Sequence, residues 1–168
     1  MAEGVLVTGV YGSGKSSVAA EIAYLLQESR QTYALLDLDF LGWAGVDFDG
    51  HAAGFGLMLR NLTAVASNYR DAGISTFVLA WFVRDHGALR RVREAAGVPL
   101  RVVRLSVPLS DIERRLAVDV TTERQDDLRE AAASIAAGEG EGVEDVVVAN
   151  DRPVPLVARE VMTWLRWL

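Results

Sequence analysis

The sequence contains no cysteine and only one lysine; every other strongly basic side chain is arginine. Without cysteine there is no disulfide, no thiolate-bound metal and no cysteine nucleophile, and a reducing, cytoplasmic compartment is expected. A basic leader is also missing. Met1-Ala2-Glu3-Gly4 runs straight into the apolar stretch Val5-Leu6-Val7-Thr8, so no signal peptide is expected. The longest apolar run, Phe77 to Val83, is far too short to cross a bilayer. Nor is there an excess of positive charge. A net charge of −6 argues against a general nucleic-acid or membrane-surface binder. A small anionic ligand stays open, because a local cradle can be positive on an acidic protein. At 168 residues, one domain with a real core is expected across the whole chain, 1–168.

The lone lysine falls in Gly9-Val10-Tyr11-Gly12-Ser13-Gly14-Lys15-Ser16, which fits the phosphate-binding pattern G-x-x-x-x-G-K-[ST]. The context also fits. A short apolar strand precedes it, and Val18, Ile22, Leu25 and Leu26 follow at helical spacing. Gly9, Gly12 and Gly14 permit backbone conformations that a side chain would block. Their amides, with those of Tyr11, Ser13, Ser16 and Ser17, can turn inward around a polyphosphate, at which the helix aims its positive end. In this pattern Lys15 reaches the β- and γ-phosphates and the Ser16 hydroxyl ligates magnesium. A chain that otherwise uses arginine has placed a compact point charge where a planar guanidinium fits poorly.

Along the chain, Tyr33 to Asp39 reads as a second buried strand ending in two acids, Asp37 and Asp39. Two apart on a strand, their side chains would share one face, where two carboxylates repel unless a cation or a proton relieves them. A glycine- and aspartate-rich stretch from Phe40 to Gly56 follows. A helix is expected over Leu57 to Ala72, stopped by Gly73. Ile74 to Phe82 reads as the third strand, with Arg84-Asp85-His86 beyond its end and an arginine-rich helix running to Ala96. Leu100 to Val107 reads as the fourth strand. Ser110-Asp111-Ile112-Glu113 has capping-box spacing, which places a helix start at Asp111. Asp119 to Gln125 reads as a polar break, Asp126 to Ala137 as a helix, and Gly138 to Gly142 as a flexible acidic turn. A fifth strand over Glu144 to Ala149 and a final helix complete the pattern. Strands alternating with helices imply a parallel sheet covered on both faces, with ligands at the carboxyl ends of its strands.

With the Gly9–Ser16 loop, the Asp37-x-Asp39 pair, Arg115-Leu116 followed by Arg124, and the Asn150–Pro153 loop assembled, the chain resembles the small P-loop kinases of the nucleoside-monophosphate-kinase-like group. Adenylylsulfate, gluconate and shikimate kinases are members. The resemblance implies a three-layer fold with a five-stranded parallel sheet in the order 2-3-1-4-5 and a small helical lid at about 115–130. It implies ATP and magnesium, transfer to a small hydroxyl- or phosphate-bearing acceptor, and no nucleic-acid or membrane partner. It places arginines 115 and 124 in the lid, and Asn150, Arg152 and Pro153 around adenine. In one respect the chain departs from the group. The third strand ends Leu79-Ala80-Trp81-Phe82, without the acid that usually helps hold magnesium there.

The expected roles follow. Lys15, Asp39, Arg115 and Arg124 are the catalytic candidates, with Asp39 as general base and the arginines on the transferring phosphoryl group. Ser16 and Asp37 are the magnesium candidates. Asp39, Trp43 and Arg84 are the acceptor-binding candidates. Two other readings stand beside the small-molecule kinase. One is an ATP- or GTP-binding module or slow NTPase whose nucleotide state controls a partner. The other is a P-loop kinase acting on a larger acceptor such as a nucleotide-sugar.

Overall fold

Alternate residues of each strand sort into two cores, and this sorting explains the layers. The computed structural model describes residues 2–44, 51–117 and 122–168, with the side chains of 51–53 and 122–124 outside the description. Its strands are β1 (Glu3–Thr8), β2 (Tyr33–Asp37), β3 (Thr76–Ala80), β4 (Leu100–Ser106) and β5 (Val146–Ala149). All pair in parallel, in the order β2-β3-β1-β4-β5. Val5 and Val7 of β1, with Val78, Val103 and Val148 of its neighbours, face one core. There they meet Val18, Ile22 and Leu26 of α1 (Lys15–Glu28) and Val157, Val161 and Leu165 of α7 (Val154–Leu165). Leu6, Leu36, Phe77, Leu79 and Val102 face the opposite core. That core is closed by Met58 and Leu62 of α3 (His51–Asp71) and by Leu89 and Val92 of α4 (His86–Ala96). A sheet buried on both faces needs nearly continuous apolar strands, as these are.

The two remaining long elements are α5 (Leu109–Leu116) and α6 (Thr122–Ala136). Ile112, Leu116 and Ala131 form a third, smaller apolar cluster there, against Val10 and Tyr11 of the glycine loop. The phosphate loop therefore rests on the sheet on one side and on α5–α6 on the other.

Several boundaries differ from the sequence expectation, each for a local reason. The second strand stops at Asp37, not Asp39. The Asp37 carboxylate accepts from the Asp39 amide at 3.2 Å and turns the chain into a short helix, α2 (Leu38–Gly42). The two acids therefore do not share a strand face. The long helix begins at His51, before the expected Leu57, because Gly54 and Gly56 are carried inside it. The capping box at Ser110 is not formed. Pro108 takes the N-cap position, its carbonyl accepts from the amides of Asp111 and Ile112, and Ser110 falls within the helix. Helix α6 starts at Thr122, not at Asp126. The glycine turn expected to be flexible is packed. The Gly140 amide donates to the Arg84 carbonyl at 2.8 Å, and a Cβ there would lie 2.7 Å from the Val83 carbonyl. Much of the expected lid, including positions 118–121 and the Arg124 side chain, lies outside the described residues.

Candidate active site

The glycine loop leaves β1 and enters α1 through two left-handed residues, Gly12 at φ 74° and Gly14 at φ 89°. Both are also crowded. A Cβ on Gly12 would lie 2.8 Å from Ile112 Cγ2, and one on Gly14 would lie 2.5 Å from Asn150 Nδ2. Gly14→Ala is therefore expected to lower stability by about 1–3 kcal/mol, the scale of a strained backbone position, and to abolish nucleotide binding. Thermal unfolding and ATP titration of the same preparation check both outcomes.

The loop is pinned from behind. Asn150 is buried, and its Nδ2 donates to the Ser13 carbonyl at 2.7 Å. Arg115 donates to the carbonyls of Gly12 and Ser13 at 3.3 Å each and to the Asn150 carbonyl at 2.5 Å. Carbonyls held at the rear leave the loop amides free to turn the other way, which is the arrangement an anion needs. α1 begins at Lys15 with no side-chain cap, so its first-turn amides add to the same cradle. Ser13 contributes its backbone. Its hydroxyl turns back toward Gly9 and is buried, with no hydrogen-bond partner among the described residues.

Two of the expected adenine-side residues have structural partners on α7. Arg152 pairs with Glu160 on α7, and Pro153 takes the N-cap position of that helix. Asn150 acts on the loop itself. On α5, Arg114 pairs with Asp111, and Arg115 turns to the loop.

In front of the loop lie the charged groups. Lys15 is buried, with its ammonium 5.0 Å from the centre of the Tyr11 ring. Burial pulls its pKa below the ordinary lysine range, and Asp39 and Asp37, among nearby acids, oppose that pull. The Ser16 hydroxyl donates to Asp37 Oδ2 at 2.7 Å, so the expected pair of magnesium candidates is brought together. In the β2–β3 register Asp37 stands directly opposite Ala80, at the level of the third strand's end.

Asp39, on the first turn of α2, faces a cleft of about 870 Å³ beside the loop. The residue is exposed to the cleft, yet the cleft walls desolvate its carboxyl and raise its pKa above the ordinary 3.8, against the pull of Lys15. Tyr11 lines the same cleft, and its phenol is pushed up to about 12, first by burial and then by Asp39 and neighbouring acids. It therefore stays protonated as a hydrogen-bond donor.

The cleft floor and far wall are Phe55, Met58, Trp81 and Phe82. Sequence reasoning did not single out the stacked pair Phe55–Trp81, whose ring centres are 5.3 Å apart at 3°. Only the pairing of α3 with the exit of β3 reveals it. Arg84 lines the cleft but is held by Glu130 of α6 and, at 2.9 Å, by Glu139. Trp43 is not part of the lining. It is 71% exposed and stacks on Phe40 at 5.8 Å.

No family model matches this sequence, and no curated protein matches it in sequence. The fold, by contrast, has many counterparts among solved structures. A sugar kinase from Janibacter sp. HTCC2649 superposes with a TM-score of 0.71 at 21% identity, covering 99% of this chain and 95% of that one. The APS kinase of Mycobacterium tuberculosis, solved with AMPPNP and APS, gives 0.68 at 25% identity and 98% coverage of both chains. Shikimate kinase from Bacteroides thetaiotaomicron gives 0.68 at 15% identity, covering 97% of this chain and 98% of that one. The chain thus has the fold of the P-loop small-molecule kinases, with the sheet order expected from the sequence.

Proposed function

We propose that the protein is an ATP-dependent, magnesium-requiring kinase that transfers the γ-phosphoryl group to a hydroxyl of a small acceptor. The observation that carries this reading is the position of Asp39. It faces the cleft beside a phosphate cradle whose Lys15 is close enough to oppose its raised pKa. A donor anion site that opens directly onto an acceptor-sized cleft fits group transfer better than nucleotide storage.

In the proposed reaction the loop amides and Lys15 hold the β- and γ-phosphates, and Tyr11 stands at the boundary between loop and cleft. Asp39 orients the acceptor hydroxyl and takes its proton. The acceptor oxygen bonds to the γ-phosphorus as the bond to the ADP oxygen breaks. A carboxyl with a raised pKa suits that exchange better than an ordinary one. Ser16 and Asp37 offer the oxygen pair that a magnesium ion already ligated by phosphates and water would take. Such an ion would neutralise charge on the phosphates. Arg115 is a positioning residue in this scheme, since it braces the loop from behind. The structural neighbours support the reading at the level of fold, and one of them, an APS kinase, was solved with AMPPNP and APS bound together.

A coupled ADP-release screen over hydroxylated and phosphorylated metabolites tests the proposal. The expected result is strong stimulation by one acceptor class. The rival reading, a nucleotide-controlled module, rests on the absence of an acid at the end of β3, where Ala80, Trp81 and Phe82 follow one another. It gains the field if ATP binds tightly and no acceptor stimulates release.

A further inference from the structure

We propose that the acceptor is an organic anion, and that its charged group is bound by Arg90 and Arg91 of α4 at the end of the cleft away from the phosphate loop. This rests on the kinase reading above and adds the class of its second substrate.

The inference begins with two charges inside the cleft. In a chain of net charge −6, several arginines near the cleft or on the sheet are paired with carboxylates, and others are not. Arg93 has Asp145, Arg101 has Glu3 and Arg104 has Glu144. Arg84, the anion-binding candidate suggested by the sequence, has both Glu130 and Glu139. Arg90 and Arg91 differ. Both line the cleft, and among the described residues no carboxylate comes within 4 Å of either guanidinium. The nearby acid of the same wall, Asp85, is engaged as the N-cap of α4, accepting from the Ala88 amide at 2.8 Å. Arg91 is held in place without being neutralised, because its guanidinium lies 4.5 Å from the centre of the Phe55 ring. A cation–π contact fixes direction and leaves the N–H edges free to bond an anion.

The rest of the cleft sets the shape of the ligand. Its acidic end, with Asp39 beside Lys15, suits a neutral hydroxyl and repels an anion. Its middle is the apolar face of Phe55, Met58 and Trp81. A ligand that satisfies all three zones carries a hydroxyl at one end, a body with an apolar face, and a carboxylate or phosphate at the other. The structural commitment of Arg84 to two glutamates is what moves the anion subsite from Arg84 to α4.

Matched pairs test this. Gluconate and glucose, shikimate and its methyl ester, and AMP and adenosine differ in charge on nearly the same frame, and inorganic phosphate is the smallest anion. Each is titrated calorimetrically, and by tryptophan fluorescence with Trp81→Phe as control, into protein saturated with ADP and magnesium. At least one anion is expected to bind saturably where its neutral counterpart does not. Arg90→Gln/Arg91→Gln is expected to weaken that binding by at least about 10-fold, the scale of one lost charge-assisted contact, with a lysine pair restoring part of it. ADP affinity, read at the distant loop, should stay within about twofold. Carboxylate and phosphate members of the panel tell the two anion types apart.

Equal binding of neutral partners, unchanged anion binding in the glutamine variant, or no saturable binding of any anion overturns the proposal. The kinase reading fails separately. ADP release driven by a neutral hydroxyl compound would remove the anion subsite and keep the kinase. An anion bound through Arg90 and Arg91 without any transfer would keep the subsite and remove the kinase.

Discussion

Replacing Lys15 by alanine, and equally by arginine, is expected to weaken ATP–magnesium binding by about 10²-fold or more, or about 2.7 kcal/mol. The alanine variant loses the buried cation that follows the loop glycines. The arginine variant keeps the charge but not the fit, since a planar guanidinium must enter a site where the lysine is already 94% buried against Tyr11, with 6% of its surface exposed. The fold should survive both changes. Burial lowers the Lys15 pKa, so the charged form is disfavoured in the folded state at any pH below the ordinary lysine range. Removing that charge should leave the melting temperature unchanged or higher. Calorimetric titration beside thermal unfolding reads the two effects separately.

The second large effect is expected at Asp39, and its separation from Asp37 is sharper in the structure than on a shared strand. Asp39→Asn should leave ATP–magnesium affinity nearly unchanged and slow acceptor phosphorylation by about 10²-fold or more, the usual scale for a positioned base. Asp37→Asn should instead raise the magnesium concentration needed for activity. Asparagine keeps one oxygen to cap α2 at the Asp39 amide but removes the charge beside Ser16.

The pH behaviour follows from the direction of the Asp39 shift. Its folded-state pKa lies above the ordinary 3.8, so the folded protein binds this proton more tightly than the unfolded chain does. Stability attributable to the group is therefore greatest below 3.8 and falls as pH rises through the folded-state value. Asp39→Asn should flatten stability across that window and should not lower the melting temperature at neutral pH. Transfer has the opposite dependence, because the base works only when ionised. The acid limb of kcat should lie above the ordinary carboxylate range and vanish from the residual activity of Asp39→Asn.

The phosphate loop and the sheet were legible in the sequence because their signals are local. Gly12, Gly14 and Lys15 sit at fixed spacing between an apolar strand and an amphipathic helix, and the structure places them there. Asp37 and Asp39 were legible as a pair but not in their geometry. A side chain accepting from an amide two residues on ends the strand, and alternation in the sequence does not reveal that bond. Arg115 was singled out from the sequence as a lid arginine, yet its carbonyl partners come from the loop and from Asn150, more than thirty residues away in either direction. The cleft beside the loop was the least legible part. Phe55 lies on α3, Trp81 just past β3 and Arg91 on α4, and only tertiary packing stacks them. The ion pairs of Arg84 were illegible for the same reason. Its neutralising partners, Glu130 and Glu139, lie about fifty residues downstream.

A rapid-quench single turnover with γ-labelled ATP, run on the acceptor class that the ADP-release screen identifies, tests the central claim most directly. Label is followed into organic phosphate and inorganic phosphate in the wild type and in Asp39→Asn. The account predicts label in the phosphorylated acceptor, formed within one turnover by the wild type and at least about 10²-fold more slowly by the variant. Label released only as inorganic phosphate, at the same rate in both proteins, would contradict it.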